Sequence, residues 1–132
     1  MAKKASAAAF EIVFFEGVLR YAPDFTEALA CLGDLYTKEG LYEKGLRLDL
    51  RLAGLRPQEP VVLYNLACSY TLTGDLPAAR RTMLAALESG YDDMEHMFKD
   101  ADLRALLADG EFQSLLNDWR ARRRVRRPQE AA

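Results

Sequence analysis

The chain repeats itself at a spacing of 34 residues, and no other feature limits its fold as strongly. Slid by that distance, Leu29 falls on Leu63, Leu32 on Leu66, Gly33 on Ala67 and Tyr36 on Tyr70. Thr37 falls on Thr71, Gly40 on Gly74, Gly45 on Ala79 and Leu50 on Leu84, while in the other direction Pro57 falls on Pro23. A repeat of this length is one supersecondary unit that cannot bury its apolar face alone and therefore stacks on its neighbours.

Each unit reads as a pair of helices. Leu29, Leu32 and Tyr36 stand at i, i+3 and i+7, which makes one buried stripe. Gly40 and Gly74 stand where the first helix must end, because glycine accepts the left-handed geometry of the residue after a helix. Second helices are expected from about Tyr42 to Leu55 and from Leu76 to Glu88. Asp75 is the expected N-cap of the later one, with Pro77 in its first turn. Pro57 and Gly90 close the two units.

A tandem pair of such units resembles the tetratricopeptide repeat (TPR) family. The matching residues are Leu29, Leu32, Gly33, Tyr36, Gly40, Tyr42 and Pro57, then Leu63, Leu66, Ala67, Tyr70, Gly74, Ala79 and Ala86. Departures are local. Gly45 replaces a usual alanine, Asp49 stands where an aromatic is usual, and Tyr91 replaces the closing proline. Residues 5–21 match a second helix followed by Pro23 without a full first helix, with Phe10, Phe14, Phe15, Val18 and Leu19 expected to pack onto the next unit. After Gly90 the repeat spacing is lost. Asp100, Asp102 and Leu103, then Leu106, Asp109, Phe112, Leu115 and Leu116, resemble a segment that closes such arrays. A solenoid end without a cap would leave an apolar face in water.

The resemblance implies an all-α fold, a short TPR-like α-solenoid of antiparallel helix pairs with a helical C-terminal cap. The expected organisation is one domain over residues 1–119. It comprises a half-repeat at 5–25, repeats at 26–59 and 60–93, and capping helices at 94–119, with a basic tail at 120–132.

Composition narrows the function. Half of the 132 residues are hydrophobic and 29% are charged, which is the balance of a globular domain rather than of a disordered chain. No apolar run approaches the roughly 20 residues a membrane span requires. Glu11 interrupts the early apolar stretch and no small-residue cleavage site follows it, so a cytoplasmic location is expected. Cys31 and Cys68 lie inside helical patterns and read as thiols rather than as a disulfide or metal pair. Net charge is −2, but six arginines fall between Arg120 and Arg127. Residues 1–119 therefore hold 12 basic and 19 acidic side chains, a balance of −7. An acidic body carries a basic tail, which opposes a helix dipole and is expected to be solvated and frayed.

The sequence assigns no catalytic residue, cofactor or metal. His96 is the only histidine, and with Asp92 four residues earlier it makes an incomplete ligand set. Asp92 and Asp93 read instead as caps of a short helix. The stretch from Asp100 to Glu111 lacks the oxygen ligand and glycine of a calcium loop, with Arg104 and Ala105 in their places. No phosphate loop or nucleophile elbow is present.

Family resemblance places a binding groove on the concave side. It would receive Glu27, Ala30, Asp34, Thr37 and Lys38 from one unit and Val61, Tyr64, Asn65, Cys68, Thr71 and Leu72 from the next. The capping region would add Glu95, Phe98 and Lys99. Some members hold a peptide carboxylate there through lysines and asparagines. Asn65 matches one of these, but Ala30 and Asp34 replace the others, and an acidic residue repels a carboxylate. The expected role is a non-catalytic adaptor or scaffold whose groove takes a protein segment with basic and apolar residues. The alternative is a self-associating homo-oligomer. A nucleic-acid contact through the arginine tail ranks below both, because no aromatics are interleaved and the body is acidic.

Overall fold

A computed structural model describes the backbone of residues 2–131 and the side chains of residues 7–125. The regular structure of the described residues is all helical, with no strand. Five longer helices come first: α1 (Ala2–Tyr21), α2 (Thr26–Lys38), α3 (Tyr42–Leu55), α4 (Pro60–Leu72) and α5 (Leu76–Glu88). The short α6 (Met94–Lys99), a 3-10 turn (Ala101–Leu103), α7 (Arg104–Leu107) and α8 (Gly110–Ala131) follow. Each of α1 to α5 packs on the next, so the chain is an all-α solenoid of antiparallel pairs closed by a helical cap.

The glycine stops work as the repeat demands. Gly40, Gly74 and Gly90 have φ of 80°, 86° and 112°, in the left-handed region. The residue after each donates back across the turn: Leu41 to the carbonyl of Tyr36 at 2.8 Å, Asp75 to Tyr70 at 2.9 Å and Tyr91 to Ala86 at 2.9 Å. These bonds satisfy carbonyls that a helix end otherwise leaves open. Asp75 caps α5, accepting the Ala78 N–H at 3.1 Å, and Pro77 follows in the first turn.

Small residues set the crossings inside each pair. A Cβ on Gly45 would lie 2.7 Å from Thr37 Oγ1 and 3.4 Å from the Gly33 carbonyl. The α2–α3 crossing is therefore tighter than alanine allows. In the next pair Ala67 and Ala79 are fully buried at the corresponding positions.

The main core lies between α4, α5 and the cap. Leu63, Ala67, Met83, Ala86 and Leu87 meet Met97, Leu103, Leu106, Phe112 and Leu116. Each Phe, Leu or Met so buried contributes about 1.5–3 kcal/mol of transfer free energy. Asp109 fixes the start of α8, accepting from the Phe112 N–H and from Arg80 of α5, each at 2.9 Å. Both contacts hold the Asp109 carboxyl below the usual carboxylate range, the backbone N–H most. A smaller cluster of Leu29, Leu52 and Val62 supports the N-terminal side, with Leu19 of α1 packed against it.

Two expectations need correction. Phe10 and Phe14 do not pack onto α2 but are 74% and 56% exposed, while Phe15, Val18 and Leu19 are half-buried. The arginine-rich segment expected as a separate tail continues α8, with Arg120 set 5.0 Å from the Phe98 ring and Arg123 5.2 Å from that of Trp119. Guanidinium stacking on these rings favours the helical continuation.

Candidate interaction groove

Five elements line a cavity of about 280 Å³. Helix α2 supplies Ala30, Gly33, Asp34 and Thr37; α4 supplies Tyr64, Asn65, Cys68 and Ser69. Asp49 enters from α3, and His96, Asp100 and Asp102 come from α6 and the turn after it. Four carboxylates thus face one cavity, and no lysine or arginine is among its described lining residues.

The carboxylates differ in how they are held. Asp49 is only 8% exposed and accepts a short hydrogen bond from the Ser69 hydroxyl. Burial pushes its pKa up to about 6, against the lowering effect of Ser69 and with Asp34 adding to the rise. Asp100 Oδ2 accepts from Tyr64 Oη at 2.6 Å and from the Cys68 thiol at 3.8 Å, and His96 Nε2 lies 3.6 Å away. Its other oxygen caps the 3-10 turn, accepting the Asp102 N–H at 3.0 Å. Burial, then the nearby Asp100 and Asp34, raise Asp102 above the ordinary aspartate value. Asp34 is exposed and pairs with Lys38 at 2.9 Å, a solvent-facing bridge of small worth.

The same surroundings keep the thiol and phenol protonated. Burial first, then Asp100 and Asp102, raise the Cys68 pKa far above that of a free cysteine, so this thiol is a weak donor rather than a nucleophile. Burial and the bond to Asp100 raise Tyr64 likewise. Among the described residues no group of three or more His, Cys, Asp or Glu side chains is placed to hold a metal ion. His96 turns to Asp100 rather than to Asp92, and Asp93 caps α6 by accepting the His96 N–H at 3.1 Å.

Tyr64, Asn65 and His96 also wall a second cleft of about 550 Å³, completed by Glu59, Pro60, Val61, Gly90, Tyr91, Asp92 and Asp93. The two cavities share Tyr64, Asn65 and His96 and so adjoin along α4. The second is apolar at the floor, where Tyr64 stacks on Tyr91 at 4.4 Å and 9° between planes, and Val61 is 56% exposed.

The residues expected in the groove therefore separate into three groups. Ala30, Asp34, Thr37, Tyr64, Asn65 and Cys68 line the acidic cavity, and Val61 lines the adjoining cleft. Glu27 and Lys38 are exposed on α2 outside the lining, and Leu72 is half-buried. Thr71 is buried and spends its hydroxyl on the Ala67 carbonyl at 2.8 Å, so it presents nothing to a ligand. From the cap, Phe98 faces α8 instead, and Glu95 pairs with Lys99 at 2.9 Å on the surface. Sequence reasoning missed Asp49, Asp100 and Asp102 as groove residues. The aspartate at a usually aromatic site and the paired aspartates after α6 were the signals available.

Comparison with known proteins gives a fold and a partial relative. No family model matches the chain. It is 31% identical over 87 residues to a chloroplastic protein of Arabidopsis thaliana. That stretch is 64% of this chain and 26% of the relative, so the chain spans about a quarter of the relative's length. The solved structure of MamA (residues 41 to the end) from Desulfovibrio magneticus RS-1 is similar with a TM-score of 0.63. The likeness covers 88% of this chain and 70% of that one at 16% identity. At that identity it establishes the fold, a short TPR-like α-solenoid.

Proposed function

We propose that residues 1–119 form a non-catalytic interaction module whose groove binds a protein segment carrying a basic residue beside a bulky apolar one. The observation that carries this reading is the set of four carboxylates lining one cavity, with no lysine or arginine among its described lining residues. An arginine or lysine entering there meets Asp34, Asp49, Asp100 and Asp102 and replaces the weak bridge from Lys38. The adjoining Val61–Tyr91 cleft suits the apolar neighbour, and Asn65, exposed between the two cavities, offers an amide to an extended backbone. A peptide carboxylate is disfavoured in this groove for the same electrostatic reason.

Selection of random peptides displayed on phage against the full chain tests the reading. Enriched sequences are expected to carry Arg or Lys next to Leu, Phe or Tyr. The double variant Asp34→Lys with Asn65→Ala changes two exposed side chains and is expected to weaken the selected peptides at least about tenfold, about 1.4 kcal/mol. Acidic consensus sequences, or binding indifferent to that variant, would refute it.

A further inference from the structure

Helix α1 is apolar on both sides. One side, with Ala8, Ile12, Phe15 and Leu19, is half-buried toward the body. The other carries Phe10, Val13, Phe14 and Tyr21, which are 74%, 62%, 56% and 94% exposed. At 100° per residue these four and Gly17 fall on one stripe, with Glu11 and Arg20 on its two flanks. A helix apolar all round belongs in an interior, so the outer stripe lacks its cover.

We infer that this stripe is the interface of a homodimer, in which the α1 helices of two copies pack face to face. The area argues for it. With about 200 Å² for a free aromatic side chain and somewhat less for valine, the exposed fractions leave roughly 500 Å² of apolar surface on one copy. That exceeds the roughly 400 Å² kept as the ceiling for an apolar patch with no binding role, and two such faces together bury about 1,000 Å², the size at which a contact between copies becomes specific though weak. The stripe is also self-complementary. A Cβ on Gly17 would meet only the Arg20 guanidinium, at 3.9 Å, which leaves a seat beside the helix axis for a partner's Phe14 ring. Glu11 and Arg20 supply the polar rim. The contact is independent of the groove, since none of these residues lines it.

Sedimentation velocity across a dilution series of the full chain tests this. The wild type is expected to run as a dimer that dissociates in the micromolar range. Phe10→Glu with Phe14→Glu is expected to run as a monomer at every concentration, with unchanged helical circular dichroism and unchanged groove-peptide binding. If that variant loses helix, Tyr21→Lys, at the most exposed of the four positions, is expected to weaken the dimer at least tenfold. A wild type that stays monomeric, a dimer that survives these substitutions, or a stripe that instead carries monomers onto anionic phosphatidylserine vesicles would overturn it.

Discussion

Gly45 and Gly54 lie in the same helix yet answer to different constraints. Alanine at Gly45 gains helix propensity but drives a methyl to 2.7 Å from Thr37 Oγ1, whose hydroxyl is already bonded to the Gly33 carbonyl at 3.0 Å. Gly45→Ala is expected to lower stability by about 1–3 kcal/mol through overpacking. Gly54 has nothing within 4 Å of its added Cβ, so Gly54→Ala is expected to raise stability by about 0.5 kcal/mol. Urea titrations of the two variants check both signs. Asp49 supplies a third test. Its carboxyl has a pKa of 3.8 in an open chain and about 6 when folded, so folding works against its ionisation. That penalty is absent below the unfolded value, grows as pH rises between the two, and is complete above about 6. Asp49→Asn keeps an oxygen to accept from Ser69 and is expected to melt higher than the wild type at neutral pH. The gap should close as pH falls toward the ordinary aspartate range. Melting temperatures across pH, read by circular dichroism, decide it.

Among the elements, the cap supplies one side of the main core. Phe112 is fully buried where α8 meets α5 and α7. Phe112→Ala is expected to cost about 3–5 kcal/mol and to lower the urea midpoint of the whole chain in one transition. Separate transitions for cap and repeats would contradict that. The helix pairs were legible in the sequence because their signals are local: Gly40 and Gly74 end helices, and Asp75 with Pro77 begins one. The orientation of α1 was not legible. Its sequence offers apolar residues on both faces, and only the position of α2 decides that Leu19 turns inward and Phe10 outward. The groove was half legible for a related reason. Asp34, Tyr64 and Asn65 follow from helical register within one repeat, whereas Asp100 and Asp102 join them only when the chain folds back after α6. Tyr64 itself is 4% exposed and bonded to Asp100, so it serves as wall more than as contact.

At the scale of the molecule, two proposed tasks fall on two faces, a groove for a cationic segment and an outer stripe on α1 for a second copy. The electrostatics of the groove give it a pH signature. Asp49 is largely protonated below about 6 and ionised above, with Asp34, Asp100, Asp102, Cys68 and His96 facing the same cavity. A bound cation favours the ionised form, so affinity should rise as pH increases through that value, and binding near it should release a proton. His96→Gln removes the one imidazole that lines the cavity and leaves its carboxylates in place. The decisive measurement is isothermal titration of this His96→Gln chain with a selected Arg-containing peptide, from mildly acidic to mildly alkaline pH. Cation binding beside Asp49 predicts affinity that strengthens across about pH 6 and a strengthening reduced by Asp49→Asn, with Asp102, also raised by burial, carrying the rest. Affinity independent of pH, or a pH dependence that Asp49→Asn leaves intact, would contradict it.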